Sequence, residues 1–359
     1  MEVHFLYVLT LSLVHYLCFY TPLVQADVFI EDWYDTYNHT SQKDWNVTCR
    51  TGQNQSPINI RTDQVYTETL DRPLSFTGYE YAFAIQLEVN THTIEGKIRP
   101  TSRDKDAAIN SSHVWISGGG LGESKFQFHG FHFHWGSTKG QGSEHSINNS
   151  YYVMEMHLVH WNADARKNFT EAAKKGIKNN SLAVLAVLFE IGKKNEKLEP
   201  LLQKIKNLSK ANRTDDLDQG MMLKDLLPEN TNEFYRYHGS LTSPPCHEIV
   251  AWTVFKHPVS ISFEQLGILR EENDLSNNYR AIQYLNSRKV YFYTLNELRV
   301  QYIINNNLQK RKAKLIRKTP PKTNGTSGNG GPRIKNILLK IKNILLSIFI
   351  ILRSNVYFI

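Results

Sequence analysis

Several things are scarce in this chain of 359 residues, and each scarcity narrows the reading. Acidic residues are missing altogether between Lys310 and Arg353, where 12 of the 42 Lys and Arg lie. The remainder carries 42 − 12 = 30 basic against 34 acidic residues, so the formal charge of +8 belongs to a tail. That excludes a basic, nucleic-acid-binding core. From Asp27 to about Arg299 there is no Gly/Pro/Ser-rich linker and no internal repeat, so one large domain is expected. Long apolar runs are few. Near the C-terminus the only clean one is Ile344–Leu352, about 13 Å as a helix against a bilayer core of roughly 30 Å. Cysteine is rarer still, with three residues in all.

What is present begins with an apolar leader, "MEVHFLYVLTLSLVHYLCFYTPLVQA", which ends in Val24-Gln25-Ala26 and lacks Lys or Arg near Met1. It reads as a signal peptide over 1–26, cleaved before Asp27, with an uncleaved anchor as the alternative. Cys18 leaves with it. Cys49 and Cys246 remain, an even pair that an oxidising compartment would bond, the alternative being two free buried thiols. Sequons at Asn38, Asn46, Asn110, Asn168 and Asn212 point the same way, to a secreted or cell-surface glycoprotein.

Runs rich in Val, Ile, Phe and Tyr recur between turn signals: "FAIQLEV", "KFQFHGFHFHW", "YVMEMHLVHW", "LAVLAVLFEI", "IVAWTVF". They read as strands, several buried on both faces. "LEPLLQKIKNL", Leu198–Leu208, has helical spacing. A sheet-centred domain with a few surface helices follows, with an apolar share of 41% and 35 Phe plus Tyr sufficient for a sizeable core.

The chemistry lies in "GFHFHWG", Gly130–Gly136. Residues two apart on a strand share a face, so His132 and His134 point the same way. Alone, such a pair is more often structural than ligating. In "EMHLVHWN", Glu155–Asn162, His157 sits on a strand able to pair antiparallel with the first and bring a third imidazole alongside. Three neutral imidazoles with a fourth position open make a catalytic zinc site. His160, three positions on, faces away and reads as structural.

"GFHFHWG", "GSEH", "EMHLVHWN", "QSPINI", "LTSPPC" and "NYRAIQYLNSRKV" together resemble the α-class carbonic anhydrases in order and spacing, over roughly Asp27–Arg299. The resemblance implies an α+β, mainly β fold, with a large twisted, mostly antiparallel central sheet and peripheral helices in a single domain over 27–304. It implies Zn2+ on His132, His134 and His157, with Glu155 and Asn278 supporting the ligands. Thr242 would accept from the zinc-bound hydroxide and donate to Glu144. The same site would take substrate against the Thr242 amide and Ser243, with carbon dioxide on a wall of Val159, Val184, Leu241 and Trp252. His92 would carry the proton out, the alternative being a solvent-facing histidine without a role. Exported members also join the positions of Cys49 and Cys246.

The implied reaction is the reversible hydration of CO2 to bicarbonate, with no nucleic-acid partner. An adhesion protein on this fold and an enzyme acting chiefly on esters are the rival classes. Gly130 departs from the pattern, since a glutamine there would serve the ring N–H of His132. Thr91 stands where glycine is common, and the family's active-site tyrosine has no clear place near "WYD". Residues 305–333 read as a basic, then Gly/Asn-rich linker, and 334–359 as a hydrophobic and basic tail. The tail is open to three readings: a glycolipid-anchor signal, an amphipathic helix lying on a membrane, or a dispensable extension.

Overall fold

Alternation of apolar and polar residues marks some strands and continuous apolar runs mark others in the computed structural model, which describes residues 39–295 apart from 71, 100–110, 138–139, 175–179, 209–213, 218, 272–274 and 276. The leader, the sequons at Asn38, Asn110 and Asn212, and the linker and tail lie outside the described residues. Ten strands form the spine of a 13-stranded sheet. In chain order they are β1 (Tyr66–Leu70), β2 (Ile85–Val89), β3 (Ile94–Ile98), β4 (Phe126–Trp135), β5 (Met154–Asn162), β6 (Leu182–Ile191), β7 (Thr214–Asp216), β8 (Phe234–Gly239), β9 (Val250–Phe255) and β10 (Tyr291–Leu295). Across the sheet they run β7-β2-β3-β4-β5-β6-β9-β8-β10-β1.

Most pairs are antiparallel, as expected, but β6 meets β9 in parallel and β10 meets β1 in parallel. The sheet is therefore mixed. β6, the unbroken apolar run, is buried from Leu182 to Phe189 because both of its faces are covered. On one face Phe131, Phe133, Trp135, Met156, Leu158 and Phe189 join the larger core. Helices α1 (Val47–Thr51), α2 (Phe169–Ala173), α3 (Glu199–Leu208) and α4 (Phe263–Arg270) lie at the periphery. α3 adds Leu201, Leu202, Ile205 and Leu208 to the larger core, one apolar stripe at helical spacing. Ser262 and Gln265 close a capping box that starts α4.

The opposite face carries a second cluster that includes Val184, Ala186, Tyr237, Trp252 and Val254. The histidines of "HFHW" and "MHLV" project to this side. Asn46 and Asn168, two of the sequon asparagines, cap α1 and α2 and accept from Cys49 N and Glu171 N. Cys49 and Cys246 are disulfide-bonded. No helix among the described residues is long and apolar enough to cross a membrane.

Candidate metal centre

Strand register builds the site. β4 and β5 pair antiparallel with His157 directly opposite His132 and Glu155 opposite His134. His157 Nδ1 lies 3.3 Å from His132 Nε2 and 3.1 Å from His134 Nε2. Two nitrogens that share a tetrahedral ion at 2.0–2.1 Å stand about 3.3 Å apart, so the spacing fits one metal.

The hydrogen bonds on the far side of each ring decide what those nitrogens are. Glu155 Oε1 lies 2.7 Å from His157 Nε2, and the carbonyl of Asn278 lies 2.7 Å from His134 Nδ1. Both partners accept only, so each ring places its proton there. Burial alone would raise the Glu155 pKa, but the neighbouring His145 and His157 outweigh it and hold the group well below the usual carboxylate range. His157 Nδ1 and His134 Nε2 are thus bare lone pairs facing each other at 3.1 Å. Two lone pairs repel unless a cation lies between them. Burial also pulls all three imidazoles below the ordinary histidine pKa, which keeps them in the neutral, ligating form.

The supporting shell is dense. Glu155 accepts four hydrogen bonds, from His145 Nδ1, His157 Nε2 and the amides of Glu144 and His145. His145 Nε2 lies 2.7 Å from the Tyr237 hydroxyl, itself 2.9 Å from Ser56 Oγ. Asn278 donates to the carbonyls of His92 and Phe133 and accepts from Trp135 N, locking the turn before β3 to β4. Glu144 is fully buried, with Oε1 accepting from Arg280 N at 2.8 Å and Oε2 3.7 Å from His134 Nε2. Burial pushes its pKa up to about 7, against the pull of His157 and of the Thr242 hydroxyl. Oε2 makes no hydrogen bond of ordinary length.

Val159, Val184 and Trp252 lie level with one another across the neighbouring strands β5, β6 and β9, Leu241 packs on the same cluster, and Trp252 meets His157 edge-on with ring centroids 4.8 Å apart. Thr242 is buried and Ser243 half-buried beside the Pro244-Pro245 turn. His92 is 4% exposed, so it is no solvent-facing side chain here.

Residues 40–294 match the family described as eukaryotic-type carbonic anhydrase. The chain belongs to the α-class carbonic anhydrases. It is 34% identical over 249 residues to putative carbonic anhydrase 3 of Caenorhabditis elegans, covering 67% of this chain and 90% of that protein. It is 33% identical over 251 residues to human carbonic anhydrase 12, covering 66% of each. With rat carbonic anhydrase 4 the identity is 31% over 258 residues, 69% of this chain and 77% of the relative. Carbonic anhydrases are carbonate dehydratases, and this chain is an enzyme of that kind.

Three features of this carbonic anhydrase escaped sequence reasoning. His39 lies with its ring 6.1 Å from His92, a contact between distant residues that no local pattern encodes. His129 is the extra residue where the β4–β5 register shifts, and it stacks on Phe169 with ring centroids 3.6 Å apart. A period-two pattern cannot reveal a bulge. Third, Gly130 sits tightly against β3: an added Cβ would lie 3.1 Å from the Gly96 carbonyl oxygen and 3.2 Å from Lys97 Cγ. Among the described residues, none hydrogen-bonds the Nδ1 of His132.

Proposed function

We infer that this carbonic anhydrase hydrates CO2 through a zinc ion on His132, His134 and His157, with a histidine carrying the proton out. The observation that carries this is the facing pair of bare nitrogens on His134 and His157, each fixed by an acceptor behind it. When bound, zinc supplies Lewis acidity that lets a water ionise near neutral pH; the shift from 15.7 to about 7 is a value taken from carbonic anhydrase itself, not worked from this geometry.

The protein's own groups do the rest. Glu155 raises the basicity of His157 and fixes its tautomer. Thr242, with its proton given to Glu144, presents only a lone pair to the reacting water and so disfavours ligands that have no proton to donate. Val159, Val184, Leu241 and Trp252 give apolar CO2 a dry wall, while Ser243 and the Thr242 amide receive the oxygens of the product.

The proton sets the pace. Release to bulk water from a group of pKa about 7 is limited to roughly 10³ s⁻¹, given recombination near 10¹⁰ M⁻¹s⁻¹. Histidine matches that pKa, and His92, tied to the ligand strand through Asn278, is the group assigned to the relay.

Export to the cell surface or beyond belongs to the same reading. The Cys49–Cys246 bond suits an oxidising compartment, and Asn46 and Asn168 are at least partly exposed. Glycans on the sequons and a glycolipid anchor from the tail complete the proposal. Stopped-flow CO2 hydration, with and without a zinc-selective chelator, tests the function. Activity that vanishes with the metal and returns with zinc is expected, and hydration that survives removal contradicts it.

A further inference from the structure

The turn that carries His92 is held from two sides. On one side Asn278 donates to the His92 carbonyl at 3.0 Å, and the Thr93 hydroxyl accepts from the Phe133 amide at 3.2 Å. On the other side Asn90 closes the turn. Its Oδ1 accepts from the amides of His92 and Thr93, each at 2.8 Å, and its own amide donates to the Thr93 carbonyl at 3.1 Å. A side-chain carboxamide can turn over and exchange its oxygen for its nitrogen. Only one of the two orientations serves both amides, because the nitrogen cannot accept.

Glu95 fixes that orientation. Its Oε1 accepts from Asn90 Nδ2 at 3.1 Å, and its Oε2 lies 3.0 Å from Lys97 Nζ. A carboxylate paired with an ammonium group can only accept, so the nitrogen of Asn90 faces it and the oxygen faces the turn. Ile94 and Ile98 join the larger core, so Glu95 and Lys97, at alternate positions of β3, point to the face that bears the metal histidines. Glu95 stands directly opposite His132 in the β3–β4 pairing. A partly exposed ion pair adds little to stability. What this one adds is direction, since it aims the amide that aims the turn.

We propose that Glu95 is a positioning residue for proton transfer, holding the Asn90–Thr93 turn through Asn90 so that the His92 ring stays on the proton path. This rests on the reading of His92 as the proton carrier. Glu95 reaches the reaction only through that turn, so its loss should slow proton export and spare the attack on CO2. The test is stopped-flow CO2 hydration by the zinc enzyme in dilute buffer, for the parent, Glu95→Leu, Glu95→Gln, His92→Ala and the His92→Ala, Glu95→Leu double variant. Glu95→Leu should lower kcat about fivefold, the factor that one hydrogen bond is worth, with kcat/KM unchanged and the loss restored by imidazole buffer. Glu95→Gln, whose amide oxygen can still accept from Asn90, should stay within about twofold of the parent. In the His92→Ala background, Glu95→Leu should lower kcat no further.

Should Glu95→Leu not fold, Glu95→Ala is read in the same way. A Glu95→Leu enzyme as fast as the parent, beside a slow His92→Ala, overturns the proposal and leaves the His92 reading standing. A loss that appears equally in kcat/KM, or that persists once His92 is gone, also overturns it, since Glu95 then acts on the metal centre or on the fold. If His92→Ala itself hydrates CO2 at the parent rate, the His92 reading fails and this inference falls with it.

Discussion

Acid should destabilise this protein through His160. The ring is fully buried, its Nδ1 lies 3.2 Å from the Ala183 carbonyl and its Nε2 2.6 Å from the Tyr79 hydroxyl. The carbonyl can only accept, so Nδ1 holds the proton and Nε2 receives one from Tyr79. Burial lowers the pKa from 6.5 to about 3. A histidine lowered on folding binds its proton more readily in the unfolded chain, so its contribution is complete above about pH 6.5 and falls as pH drops from there toward 3. Each pH unit in that window costs about 1.4 kcal/mol, or about 2 kcal/mol by pH 5.

The assay is denaturant unfolding at about pH 7.5 and about pH 5 for the parent and for His160→Gln, which retains a donor and an acceptor but does not titrate. Both proteins carry the same metal site, so its own acid sensitivity cancels in the difference. The parent should lose about 2 kcal/mol more than the variant over this interval. Equal losses would refute the reasoning.

Other consequences are as direct. Glu155→Gln weakens the acceptor behind His157 and should lower zinc affinity about 10- to 100-fold in competition with a chelator, with the sheet retained. Replacing Cys49 and Cys246 removes a bond between residues 197 apart, worth about 5 kcal/mol at most by chain entropy, and should lower the melting temperature by roughly 10–15 °C. His92→Ala should cut kcat about tenfold or more in dilute buffer while leaving kcat/KM unchanged, and imidazole buffer should restore it. Unchanged kcat would remove His92 from the proton path.

The parts of the site legible from the chain were those with a period. His132 and His134 share a face because a strand repeats every two residues, and His160 falls on the other side of β5 from His157 for the same reason. The long apolar run of β6 announced a strand buried on both faces, though nothing in it indicated that its partner β9 would run parallel. Register across strands, by contrast, has no local signature: that His157 faces His132, not a neighbour, depends on the turn and on a bulge at His129. His145 stands inside the quoted "GSEH", yet its role appears only when Glu155 and Tyr237 are brought to either side of its ring. Asn278 entered through resemblance, and its physical reason, four hydrogen bonds that join His92, Phe133, His134 and Trp135, spans more than a hundred residues of chain.

The most direct test of the metal centre is the zinc content of the purified protein, measured by plasma mass spectrometry beside a His134→Ala, His157→Ala double variant. One zinc per chain in the parent, lost from the variant together with CO2 hydration, is the predicted result. A parent that hydrates CO2 at full rate without a divalent ion, or a double variant that keeps its zinc, would contradict it.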